Sequence, residues 1–188
     1  LKRNFAIDQN KILQEHNLTI DPDIRDGLCA GMVIEWLRRE ISGQRQSGIR
    51  YRHAEDFTSR QRSFDLHYEV KKELPLALKS DSFTSTLICN SKAQDLSFHL
   101  RAVSAGFFCL GLFPDAEHLN GHMIGLAIED GRYRIFDPNH GEFETTNKHV
   151  PNMALLKCQK FISTHYLSVS SARMEIYELK RKFTTSPF

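Results

Sequence analysis

Three side chains, far apart in the sequence, are of the types that thiol chemistry requires: Cys29, His122 and Asp137. A thiol attacks a carbonyl carbon only as its thiolate, so it needs a base to take its proton. An imidazole serves better as that base when a carboxylate fixes its tautomer and stabilises its charged form. Each residue also has a plainer reading. Cys29 could simply be the first apolar residue of a helical stripe, and His122 a satisfied rim histidine beside Asp137, because Asp137-Pro138-Asn139 is itself turn chemistry. Taken together the plain readings weaken, since a cysteine on a helix, a histidine on one strand and an aspartate on the next is a known arrangement of nucleophile, base and orienting group.

The strands that must carry the pair lie in "GHMIGLAIEDGRYRIFDPNHGEF", from Gly121 to Phe143. Asp130-Gly131 is the preferred signature of a two-residue type I′ turn. With that turn, Glu129 faces Arg132, Leu126 faces Ile135 and Ile124 faces Asp137. Side chains alternate along a strand, so His122 shares a face with Ile124 and Asp137, and the pair become diagonal neighbours with Cβ atoms roughly 7–8 Å apart. That is within reach of an Nδ1–H donating to the carboxylate. Ile124, Leu126, Ile128, Tyr133 and Ile135 occupy the same face, which is therefore predicted to be the buried one.

Cys29 needs a helix, and the pattern supplies one from Leu28 to Ser42. Cys29, Met32, Val33, Trp36, Leu37 and Ile41 fall on one stripe. Asp26 is the expected N-cap, and Gly43 stands where a left-handed residue closes a helix. In the first turn, unpaired N–H groups and the helix dipole favour a thiolate. Gly27 and Gly31 beside the cysteine suggest space for a substrate backbone. Trp36 reads as core.

The remaining elements are coarser. A short helix is expected around Asp8 to His16, then a loop from Thr19 to Gly27. Gln44 to Leu66 reads as exposed loop with some helix; its arginines (Arg45, Arg50, Arg52, Arg60, Arg62) are either a solvated face or a patch for an acidic partner or membrane headgroups. Tyr68 to Lys79 is helical in pattern up to Pro75, and Ala93 to Ala105 is helical in spacing through Leu96, Leu100 and Val103. Gly106 to Phe113 and the two hairpin runs read as consecutive strands, Asn152 to Tyr166 as a helix, and Ala172 to Arg181 as a last strand with a helix still open. Helices first and antiparallel strands later predict an α+β fold.

At 188 residues the chain is expected to form a single catalytic domain, 1–188, and its start at Leu1 reads as an excision from a longer protein. A formal charge of +2 without any run of like charges gives no case for nucleic acid. No apolar run reaches a membrane span and no signal peptide is evident. The four cysteines form no CxxC pair, so a thiolate zinc site is not expected, and Cys89, Cys109 and Cys158 read as inert buried thiols. His118 and His122 have metal-pair spacing but flank a turn-like Asn120-Gly121. Neither a metal nor a cofactor is expected. His140 reads as exposed, with a role at the pocket rim as the lesser alternative; His53, His67, His99, His149 and His165 read as surface or satisfied core.

The segments "GLCAGMVIEWL", "HMIGL" and "FDPNHGEF" together resemble the YopT/AvrPphB family of bacterial cysteine proteases. The resemblance implies a papain-like fold, in which a central helix bearing the cysteine packs on an antiparallel sheet bearing the other two residues. It implies Cys29 as nucleophile, His122 as general base and then acid, and Asp137 as the group that orients it. It further implies a secreted bacterial effector or toxin acting in a host cytosol on a host protein. Papain-like enzymes place a Gln or Asn oxyanion donor shortly before the cysteine, whereas this chain has Asp23, Ile24, Arg25 and Asp26 there. The donor is then Arg25, the Cys29 N–H, or a distant group. The same three residues would equally serve a protein glutamine deamidase or transglutaminase, and a catalytically inactive papain-like binding module using the arginine-rich segment is the reading from outside enzymology.

Overall fold

A computed structural model describes residues 1–24, 27–44, 53–71, 83–92, 95–113, 121–146, 151–166 and 173–182. Seven strands are β1 (Lys2–Phe5), β2 (Phe83–Lys92), β3 (Gly106–Phe113), β4 (His122–Glu129), β5 (Arg132–Asp137), β6 (Gly141–Thr146) and β7 (Arg173–Arg181). The helices are α1 (Gln9–Glu15), α2 (Cys29–Ile41), α3 (Ala54–Lys71), α4 (Leu96–Leu100) and α5 (Pro151–Tyr166), with a 3₁₀ turn at Leu18–Ile20. The strands form one antiparallel sheet in the order β1-β6-β5-β4-β3-β7-β2. The α+β expectation holds.

The hairpin register agrees with the turn chemistry. Asp130 and Gly131 both take positive φ, 49° and 73°, as a type I′ turn requires, and Glu129 pairs with Arg132, Leu126 with Ile135 and Gly125 with Phe136. The burial expectation was half the answer. Ile124, Leu126, Ile128, Tyr133 and Ile135 do lie under helices, packing with Leu96 and Leu100 of α4 and Ala154, Leu155, Cys158 and Ile162 of α5. The opposite face, with Cys109, Met123, Ala127, Phe136, Tyr177 and Leu179, is buried too, under α2 and its neighbours. The sheet is covered on both sides, which explains why β3 is apolar along its length rather than alternating.

Helix α2 lies in the middle of its layer. Trp36 stacks on Phe136 at 5.5 Å, donates Nε1–H to Glu142 at 2.8 Å, and fits the sheet only because residue 125 is glycine: a Cβ there would stand 2.6 Å from the indole. The three segments that carry the family resemblance are thus parts of one packing unit. On its other side α2 meets α3. A Cβ at Gly31 would lie 2.1 Å from the Phe57 carbonyl oxygen, so Gly31 makes room for α3 and not for a substrate. With partners on both sides, α2 buries Ile34 and Glu35 as well as its apolar stripe, and Glu35 is matched by Arg38 and Arg39 at 2.7 Å. The helix closes as expected: Gly43 N–H donates to Glu40 O and Gln44 N–H to Arg39 O, a Schellman pattern.

Other expectations need correction. Leu28, not Asp26, is the N-cap of α2, and it makes no side-chain cap; Asp26 and Arg25 lie outside the described residues. In the stretch read as exposed loop with some helix, the helix takes most of the described part: it is α3, mostly polar and held by Ala54, Phe57 and Phe64. Arg60 and Arg62 of the basic segment pair with Glu35 and Asp21, which leaves Arg45, Arg50 and Arg52, outside the described residues, to any patch. The helix sought over Ala93 to Ala105 is only α4. Strands β1 and β2 were not anticipated; each is an edge of the sheet, with mixed exposure that blurs alternation.

Candidate active site

His122 opens β4 and Asp137 ends β5, so the hairpin brings them to one end of the sheet, where α2 begins with Cys29. His122 Nε2 lies 3.0 Å from Asp137 Oδ1. A carboxylate only accepts, so Nε2 carries the hydrogen and Nδ1 is the nitrogen left for Cys29. The expected Nδ1–carboxylate bond is therefore replaced by one through Nε2; the rotamer, not the register, decides which nitrogen turns inward.

Asp137 is fully buried, and burial alone would raise its pKa. The bond to His122, the charge on His122, the Tyr166 hydroxyl and the Asn139 backbone N–H outweigh it and hold the carboxyl at about 2. Four donors satisfy it: His122 Nε2 and the Asn139 N–H on Oδ1, and Tyr166 Oη and His140 Nδ1, each at 2.7 Å, on Oδ2. Burial likewise disfavours a charged His122. Hydrogen bonds with Asp137 and Cys29, and the charges of both, reverse that and raise it to about 9. Both shifts favour a protonated His122 beside an ionised Asp137.

Several participants escaped the sequence reading. Tyr166, the last residue of α5, stacks its ring on His122 at 4.4 Å and 19°, fixing the imidazole plane. His140, expected to be exposed, is half-buried and bonded to Asp137. Gln9 accepts the Leu28 N–H through Oε1 at 2.8 Å and donates Nε2–H to Asn139 Oδ1 at 2.6 Å. Gln61 of α3 accepts the Gly31 N–H at 2.9 Å. Only the His140 position, within three residues of Asp137, carried any local signal.

These caps matter for the helix start. With the N–H groups of Leu28 and Gly31 taken by Gln9 and Gln61, those of Cys29 and Ala30 remain in the first turn, where a helix N-terminus favours negative charge. Cys109 and Cys158 are buried thiols whose pKa is pushed up by burial, the latter to about 12; Cys89 is half-buried on β2 rather than inert core. Among the described residues no cluster of three or more His, Cys, Asp or Glu could hold a metal, and His118 lies outside them.

A scan against models of known protein families finds no match. In sequence, the chain is 24% identical over 168 residues to the cysteine protease avirulence protein AvrPphB of Pseudomonas savastanoi pv. phaseolicola, an alignment covering 77% of this chain and 60% of that protein. The chain thus spans about three fifths of its relative. The crystal structure of Pseudomonas AvrPphB superposes with a TM-score of 0.53 over 94% of this chain and 98% of that one, at 17% identity. The ubiquitin-specific protease encoded by murine cytomegalovirus tegument protein M48, solved with a ubiquitin-based suicide substrate, gives 0.53 over 86% and 81%, at 11% identity. PatoxP, a cysteine protease-like domain of the Photorhabdus asymbiotica toxin PaTox, gives 0.51 over 95% of this chain and 54% of that one, at 12% identity. The chain is homologous to AvrPphB, a cysteine protease of the YopT family, and has the fold that AvrPphB shares with other cysteine protease-like domains.

Proposed function

We propose that this chain is a cysteine protease with a Cys29–His122–Asp137 triad in a papain-like layout. The observation that carries the reading is the orientation of His122. Its Nε2 is committed to an ionised, four-donor Asp137, so its other nitrogen is the one available to the thiol at the start of α2. In the reaction, His122 Nδ1 takes the Cys29 proton and the thiolate attacks the scissile carbonyl carbon. The oxyanion is received by the N–H groups of Cys29 and Ala30. The imidazolium then protonates the leaving amine, leaving a thioester, and His122 activates the water that hydrolyses it and regenerates the thiol.

Homology to an avirulence protein and a fold in common with a toxin domain support a host protein as substrate and the host cytosol as the place of action. No helix among the described residues is long and apolar enough to cross a membrane. The whole of 1–188 is read as one catalytic domain.

The test is to incubate the chain and its Cys29→Ala variant with a eukaryotic cell extract, sequence newly formed protein N-termini, and measure ammonia in the same samples. New N-termini from the parent chain alone are expected. Ammonia release without new N-termini would replace the protease with a glutamine deamidase or transglutaminase, and equal outcomes for both chains would leave a binding module.

A further inference from the structure

A line of hydrogen bonds runs from the nucleophile's helix to the base's carboxylate, and its direction can be assigned from one end. A backbone N–H only donates, so the Leu28 N–H fixes which end of the Gln9 amide faces it: Oε1 accepts, at 2.8 Å. Gln9 Nε2 must then donate to Asn139 Oδ1, at 2.6 Å. That leaves Asn139 Nδ2 to donate to the Tyr166 oxygen at 3.2 Å, and the Tyr166 hydrogen to go to Asp137 Oδ2 at 2.7 Å. Every amide and hydroxyl orientation follows from the first. Gln9 is more than nine-tenths buried, and its own N–H donates to the Pro138 carbonyl at 2.9 Å, so it grips the Asp137–Asn139 turn from two sides.

We infer that Gln9, Asn139 and Tyr166 are positioning residues that act as one polarised relay, with Gln9 forcing the Tyr166 hydroxyl to donate to the carboxylate that holds His122. Without Gln9, Asn139 can turn its oxygen toward Tyr166 and draw the hydroxyl hydrogen away. Asp137 then concentrates its charge on fewer donors and grips the imidazolium harder. Among the described residues His122 meets Cys29 from α2, Asp137 from β5 and Tyr166 from α5, while His140 of the β5–β6 turn shares the Asp137 carboxylate and lies 3.3 Å from Tyr166 Oη, its ring 4.5 Å from that of His165. Gln9 reaches them through Asn139, whose Nδ2 meets Tyr166 and whose backbone N–H donates to Asp137 Oδ1, and through Leu28 beside Cys29.

The inference rests on the proposed triad, but its test does not require proteolysis: an NMR titration of His122 in the parent chain, Gln9→Met, Tyr166→Phe and the double variant, with melting temperatures alongside. Gln9→Met and Tyr166→Phe should each move the His122 midpoint upward by about half a pH unit, a fraction of the 1–3 units that a directly contacting charge produces. The double variant should move it no further than either single change. A midpoint unmoved or lowered in Gln9→Met while the melting temperature falls would make Gln9 a purely structural clamp, and additive shifts would dissolve the relay. Should the shifts appear in a chain that cleaves nothing, the relay stands and the protease reading fails alone.

Discussion

Helix α2 packs along the β4–β5 hairpin, and an ion pair stands near each end of the contact. At the hairpin turn, Arg134 lies against Glu40 of the last turn of α2, Nη1 to Oε1 at 2.7 Å, and also reaches Glu129 at 2.9 Å. At the open end His122 holds Asp137. The guanidinium never gives up its proton and matches the carboxylate with two parallel bonds, so that end is a fixed joint. The imidazole can lose its proton and has a thiol on its other side. One fold unit therefore carries a clamp at one end and a titratable centre at the other, and the difference is one of residue chemistry, not of burial.

The largest effect that separates the two ends is catalytic. Cys29→Ala should abolish turnover, and His122→Ala should lower kcat/KM by at least about 10²–10⁴-fold. Both should fold, as judged by circular dichroism. At the other end, Glu40→Ala removes the bidentate partner of Arg134 and leaves it Glu129, which should cost about 1.5–3 kcal/mol in urea unfolding, while Cys29 in the folded fraction keeps its alkylation rate. Between the ends sits the packing that joins them. Gly125→Ala drives a methyl into Trp36 and should cost about 1–3 kcal/mol, with a smaller loss of thiol reactivity as α2 shifts.

The two ends also differ in their pH dependence. His122 rises from 6.5 to about 9 on folding, so the stability it confers is fully present below about pH 6.5 and is lost as pH climbs through about 9. Asp137 falls from 3.8 to about 2, so its contribution is present above about pH 3.8 and is lost as pH drops through about 2. The stability gap between the parent chain and Asp137→Asn should therefore be widest between about pH 4 and 6.5 and should close toward pH 9. A gap that stays constant across that range would show that the pair is not ionised.

What the sequence disclosed about this unit follows from locality. The Asp130-Gly131 turn dictates its own register, and register places His122 and Asp137 side by side. The stripe on α2 and the glycine after it define that helix to within a residue at either end. Gln9 was unreadable for the opposite reason: its partner is 130 residues away, and nothing in its neighbourhood marks a glutamine as a bridge. Tyr166 reads in sequence only as the end of a helix. Gly31 was read as an opening for substrate because a missing side chain looks the same whether a ligand or a neighbouring helix fills the space. Edge strand β2, with Thr84, Thr86 and Asn90 exposed, shows too little apolar alternation to be told from loop.

The most direct test is alkylation of the four cysteines by iodoacetamide across pH, read for each thiol by mass spectrometry in the parent chain and in His122→Ala. Cys29 should react fast below pH 7, well ahead of Cys89, Cys109 and Cys158, and should slow in the variant. If Cys29 reacts no faster than the other three, or is indifferent to the loss of His122, no thiolate–imidazolium pair exists and the protease reading is wrong.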